Sequence, residues 1–271
     1  MFTSNPFAAL SASISPAVMQ WYVIVMIVLV VAGTLFEVMH KGSAKYFFEN
    51  WRRTKQKKGA KPVGGGDMVS IAAQWAVVDV LTSGEFCNLR RRIAHLLGMY
   101  GFVLYVLATA VMVFDLSAGA IWATLWWIGG LMVCAGGYWF WFFIRVDVAA
   151  EGHSPFRVVK ADLFILSMLA SATLGLIWAA AGGGVGILFA LYILATTVLF
   201  AGVPWSKFAH MFFKPAAAFE KRVTHASGTA ENLPTQSRDD PEQQKRHSME
   251  LLQNAPMDMG LGIKREAPRH Y

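Results

Sequence analysis

Cysteine is almost absent from this chain, Cys87 and Cys134 being the two it has. An iron–sulfur cluster is usually held by four thiolates, so the chain cannot hold one alone. Cys87 lies near a basic flank and Cys134 deep in an apolar run, a poor arrangement for a disulfide, and Cys134 reads as a small packing residue. Charge is the second shortage. Only 15% of the 271 residues are Asp, Glu, Lys or Arg, against 55% hydrophobic, which leaves too little polarity to cover a soluble globule of this size. No nucleotide-binding loop, hydrolase triad or thiolate metal site is present. The net charge of +7 does not point to nucleic acid. Its Lys and Arg fall in loops and the tail, with no basic stripe interleaved with stacking aromatics.

Long apolar runs are what the chain has instead. A helix needs roughly 20 apolar residues to cross the hydrocarbon core, and five runs qualify: Ala17 to Met39, Ile93 to Phe114, Ile121 to Ile144, Leu163 to Ala181, and Gly186 to about Trp205, continuing toward Phe213. The sequence therefore predicts an all-α membrane protein, a five-transmembrane-helix bundle. The first run has no basic n-region and meets a basic stretch, not a small-residue cleavage site, so it reads as a retained helix and not as a signal peptide. The breaks at Asp115–Ala120 and Gly182–Gly184 are short and force antiparallel neighbours. Lys and Arg are confined to the segments after the first, third and fifth runs, while the N-terminus and the two short breaks have none. That asymmetry places the N-terminus outside and the C-terminus in the cytoplasm, as in a multi-pass protein of a bacterial inner membrane.

The organisation follows. Residues 1–214 form the five-helix membrane domain, with a basic cytoplasmic loop over 40–69 and an interfacial helix over 68–81; Lys55 to Gly66 reads as mobile. Residues 215–271 form a polar cytoplasmic tail, disordered from about Ala226 unless a partner orders it, with Ser248 to Asn254 as one short helix. Gly129, Gly130, Gly136 and Gly137 recur at a seven-residue spacing that permits close helix packing. Trp122, Trp126 and Trp127 at one end of that run, and Trp139 and Trp141 at the other, fit aromatic anchoring.

Seven histidines are present. His225, His247 and His270 lie in the polar tail, and His40 and His153 near the cytoplasmic surface, where an unpaired imidazole costs little. His95 and His210 differ. Each stands where a membrane-length run meets a basic flank, one entering and one leaving the bilayer, so their rings can share one depth. Gly98 and Gly101 follow His95 and leave room for a flat ring. This is the pattern of axial ligands to a haem iron. The alternative is two interfacial histidines bonded to backbone or headgroups.

Five spans with the N-terminus outside, His95 on the second and His210 closing the fifth resemble the gamma, cytochrome b subunit of respiratory nitrate reductases. The stretch V-P-W-S-K-F-A-H-M-F-F-K-P, Val203 to Pro215, is similar to the signature of that superfamily around its cytoplasm-side haem ligand. Members with two haems carry a second pair of histidines at the places held here by Tyr105 and Tyr192, so the resemblance implies that an outer haem is absent. The segments T-S-G-E-F-C-N-L-R-R-R-I-A-H (Thr82 to His95) and K-Y-F-F-E-N-W-R (Lys45 to Arg52) further resemble the membrane anchor of dissimilatory adenylylsulfate reductase in sulfur oxidisers.

That resemblance implies a subunit without catalysis of its own. It would dock a soluble flavin and iron–sulfur reductase on the cytoplasmic face and link it to quinone, with one haem b between His95 and His210. The basic loop would meet an acidic partner by charge complementarity, although the same Lys and Arg also set topology and touch anionic lipid. Glu37 and Asp79 read either as proton relays to quinone or as snorkelling interfacial carboxylates. Two alternatives stand beside this expectation: a haemless tether, and a small transporter, for which no internal repeat or paired broken helices are visible.

Overall fold

The computed structural model describes residues 2–40, 43–56, 59–84, 86, 88–145, 156–206, 208 and 210–229, apart from the side chains of Ser43, Ala44, Tyr46, Ala161, His210, Phe212 and Phe213. Cys87, His153, His247, His270 and the short helix read at Ser248 to Asn254 lie outside the described residues. All regular structure among the described residues is helical: α1 (Pro6–Leu10), α2 (Pro16–His40), α3 (Ser43–Gln56), α4 (Gly65–Gln74), α5 (Leu89–Phe114), α6 (Ala120–Phe143), α7 (Leu163–Ala180), α8 (Ile187–Ala201) and α9 (His210–Ala226). A π-helical turn, Trp75–Leu81, continues α4, and 3-10 turns cover Lys160–Asp162 and Val203–Trp205. The chain divides into two compact units, one of residues 1–44 and 88–214, the other of 45–87 and 215–271.

In the first unit, α2, α5, α6 and α7 are each long and apolar enough to cross a membrane. Their exposed faces are apolar: Trp21 is 65% exposed, Ile121 62% and Leu131 52%, a surface that water would not tolerate as one contiguous patch. The local chemistry sets the helix starts. Asn88 caps α5, its side chain accepting from the Arg90 and Arg91 amides at 2.9 and 3.3 Å, and Asn5 with Pro6 opens α1 in the same manner.

The fifth apolar run ends early. Its helix, α8, has 15 residues and stops at Ala201, a length of about 22 Å at 1.5 Å per residue. The sequence predicts continuity to Trp205 and beyond. Gly202 caps the α-helix, and Pro204, with no backbone N–H to donate, lies in a 3-10 turn over Val203–Trp205 before α9 begins at His210.

Helix α6 sits between α5 and α7, and its four glycines divide into two stripes. A Cβ at Gly129 would lie 2.6 Å from the Tyr105 amide nitrogen, and one at Gly136 2.7 Å from the Ala94 carbonyl oxygen, both on α5. Gly130 and Gly137 face α7 instead, against the side-chain tips of Leu176 and Leu169 at 2.9 and 2.6 Å. Of the five tryptophans of α6, Trp122 and Trp139 are half-buried, whereas the other three turn into the core. Trp126 is fully buried and Trp127 and Trp141 nearly so. The Trp126 indole stacks on Tyr105 at 5.0 Å and donates to Thr109 Oγ1 at 2.9 Å, so aromatic bulk fills the core where the glycines bring backbones together. Arg145, following α6, lies over Trp141 at 4.0 Å and forms a two-pronged ion pair with Asp162 at the start of α7.

The second unit has its own small core. Trp51 of α3 stacks on Phe219 of α9 at 6.2 Å, Trp75 meets the same ring edge-on at 5.6 Å, and the Trp75 indole donates to the Pro215 carbonyl at 2.7 Å. Arg222 grips Asp79 with two nitrogens, one at 2.8 Å, and also reaches Gln74. The Lys61 amide donates to the Ser227 carbonyl at 3.0 Å. Much of the segment that the sequence presents as loop is thus helix, and the first part of the polar tail, through Ala226, belongs to α9.

Candidate functional site

A cavity of about 460 Å³ runs through the first unit between α2 on one side and α5, α7 and α8 on the other. Along α2 it extends from Val18 to Val31, about 20 Å of helix. Its origin is local: α2 buries only Met19, Met26, Gly33 and Glu37 among its 25 residues. The other helices of the unit close on one another and leave α2 standing slightly away. Phe7 and Leu10 of α1 close one end and Phe208 and Met211 the other. Asn5 pins α1 there by donating to the Met112 and Leu116 carbonyls at 2.9 and 3.3 Å.

The wall is apolar except for one band of hydroxyls at mid-length, from Tyr22, Tyr105, Thr109, Ser171, Tyr192 and Thr196. Tyr105 and Tyr192, 5% and 3% exposed, come from α5 and α8 and meet beside Gly175 in the cavity wall. Each ring leans on a buried indole, Tyr105 on Trp126 and Tyr192 on Trp178, the latter at 5.5 Å and 17°. Gly175 gives them space, since a Cβ there would collide with the Tyr105 hydroxyl and lie 3.0 Å from the Tyr192 ring. Nearby, the Tyr22 hydroxyl meets Thr197 Oγ1 at 2.9 Å and Ser171 Oγ meets Thr196 Oγ1 at 2.8 Å.

The residues singled out in the sequence fall as follows. His95 lies half-buried in the second turn of α5, and His210 opens α9, its side chain lying outside the described residues. Gly98 has open space where a side chain would project. Gly101 does not: its Cβ position falls 2.7 Å from Met132 Cβ and 2.8 Å from the Gly129 carbonyl oxygen, so α6 takes the room that the sequence reading gives to a ring. No group of three or more His, Cys, Asp or Glu side chains that could hold a metal ion occurs among the described residues, and no described histidine lines the cavity.

Two carboxylates are also placed. Glu37 is 6% exposed on the inward face of α2 and so does not snorkel. Asp79 is the partner of Arg222, a structural ion pair. His40 stacks on Phe36 at 5.4 Å and His225 is exposed. Cys134 packs against both hydrophobic clusters of the first unit and lies 3.5 Å from Thr173 Oγ1. The sequence reading passed over the cavity. Its one available signal was the pair of tyrosines at positions where two-haem relatives of the resembled family carry histidine.

Comparison with protein-family models, curated proteins and solved structures returns no match for this chain.

Proposed function

We propose that this chain is a membrane anchor subunit of the nitrate reductase gamma-like kind, docking a cytoplasmic adenylylsulfate reductase-type enzyme and linking it to the quinone pool. One observation carries the reading. The resemblance pairs positions 105 and 192, 87 residues apart in sequence, and the tyrosines at those positions are neighbours on either side of Gly175, between α5 and α8. Chain spacing alone does not require that meeting. It supports a five-span arrangement in which short α8 completes its crossing through the turn at Val203–Trp205, with the N-terminus outside and the C-terminus inside a bacterial cytoplasmic membrane, as the distribution of Lys and Arg indicates.

The docking surface in this reading is the second unit. Arg52, Arg53 and Lys55 of α3 are exposed, carried on a helix held by the Trp51–Phe219 stack and not on a free loop. Cations at fixed positions steer an acidic partner and set its register more than they add raw affinity. Tagged full-length chain, purified from its native membrane at low salt, should bring a yellow-brown flavin and iron–sulfur protein with it. Arg52→Glu, Arg53→Glu and Lys55→Glu combined, or salt at about 0.5 M, where the Debye length is only a few ångströms, should release it. Purification without a flavoprotein at any ionic strength would remove the docking role.

Haem b, the cofactor that the resemblance implies, would supply one-electron transfer and would fall to His95 and His210. A reduced-minus-oxidised visible spectrum tests this separately from docking. A b-type band that survives both His95→Ala and His210→Ala takes the role from these residues.

A further inference from the structure

We propose that the cavity between α2 and the α5–α7–α8 face binds a prenylated quinone, its tail along α2 and a ring carbonyl at the Tyr192 hydroxyl. This deepens the quinone-linked reading above and rests on it.

The cavity's shape and lining select the ligand. At about 460 Å³ it falls within the range of small-molecule sites, and an apolar cavity of this size takes up apolar ligands readily. It is long and flanked by membrane-length helices, so its ligand comes from the bilayer and carries a hydrocarbon chain. A phospholipid tail would meet those needs, but its polar group sits at the interface. Here the polar band lies mid-span, with Tyr105 near the centre of the 26-residue α5 and Tyr192 at the sixth residue of α8. A molecule with hydrogen-bond acceptors on an otherwise apolar body fits that arrangement, and a quinone is such a molecule.

The proton directions identify the donor. Thr109, Thr196 and Thr197 donate to the carbonyls four residues earlier, those of Tyr105, Tyr192 and Ile193, at 2.7, 2.8 and 2.7 Å. With its own proton spent, Thr197 can only accept from Tyr22, and Thr196 from Ser171. Tyr105 points at the Ser171 carbonyl, 3.5 Å away. Tyr192 is left. Its hydroxyl lies in the same band of the cavity wall as those of Tyr105, Thr109 and Thr196 and, among the described residues, donates to no backbone carbonyl, so it is available to a ligand carbonyl. Trp178 stacked on Tyr192 and Trp126 stacked on Tyr105 would then stand beside a ring that quenches indole fluorescence.

The test uses the full chain in phosphatidylcholine nanodiscs, titrated with a benzoquinone bearing a decyl tail. Saturable quenching of tryptophan fluorescence is expected. Ala110→Phe, which fills the cavity from α5, should weaken it at least tenfold, and Tyr192→Phe several-fold. A tail-only competitor, a photoreactive decyl diazirine, should displace the quinone weakly and be indifferent to Tyr192→Phe. Ala110→Leu should give an intermediate loss and serves if the phenylalanine variant unfolds, as judged by near-ultraviolet circular dichroism. Non-saturating quenching unchanged in the Ala110 variants overturns the proposal. So does equal affinity for quinone and alkane, which would make the cavity an acyl-chain site. Co-purification of the cytoplasmic enzyme reads the anchor function independently, since Ala110 lies in the first unit and should not affect docking. Docking without quinone binding sinks this inference alone, and quinone binding without docking sinks the docking role alone.

Discussion

At the scale of single residues, apolar surroundings make each buried polar group consequential. Arg145 and Asp162 have side chains only 9% and 12% exposed, and Asp162 also accepts from the Val159 amide at 2.9 Å. Removing one partner strands the other charge, which in buried pairs costs about 3–5 kcal/mol. Asp162→Ala should therefore lower the thermal midpoint of the purified protein sharply. The double variant Arg145→Met, Asp162→Ala should recover much of the loss, and equal melting of single and double variants would contradict the pairing argument. Glu37 follows related logic. A carboxyl this buried in a membrane-length helix is costly, and its place on the inward face of α2 sets it apart from the exposed Asp67 of the second unit.

The scale of elements shows what the sequence disclosed and what it withheld. Four of the five apolar runs become helices within a few residues of their expected limits, because burying backbone amides in lipid leaves a long apolar run no alternative to helix. The glycines of α6 were legible as a packing stripe, but their division was not: a seven-residue repeat gives each glycine's period and not its neighbour. That division has a consequence. Gly129 opposes backbone atoms of α5, whereas Gly130 opposes the flexible end of Leu176. Gly129→Ala should therefore separate the helices and lower thermal stability by about 1–3 kcal/mol, the usual cost of overpacking, while Gly130→Ala should cost clearly less. Similar losses in the two variants would refute the distinction. The interior tryptophans were misread because ring size signals both interfacial anchoring and core filling; only the partner at Thr109 decides for Trp126. The cavity was not legible at all, since it arises from a helix that fails to close on its neighbours.

Across the whole molecule, two compact units draw on alternating stretches of chain, so neither is a simple terminal appendage. The second unit is held by the Trp51–Phe219–Trp75 aromatic cluster, by hydrogen bonds such as that from Trp75 to Pro215, and by a carboxylate–guanidinium grip in which the Asp79 side chain is only 8% exposed. Arg222→Ala should cost about 1–3 kcal/mol, as for a buried acceptor left unsatisfied. Limited proteolysis should then cut within 45–87 faster than in the unaltered protein, while quinone-dependent quenching in the first unit stays unchanged. Faster cleavage inside α5 or α6 would show that the units do not behave separately.

The helices of the first unit are unequal in length. At 25 residues α2 is about 38 Å long, while α8, with 15, spans about 22 Å. In the proposed five-span arrangement α8 is completed by the turn at Val203–Trp205, whereas α2 alone exceeds a hydrocarbon core of about 30 Å and would lean to fit it. That lean changes the angle between α2 and its neighbours, so the host membrane's thickness would help set the width of the passage between them.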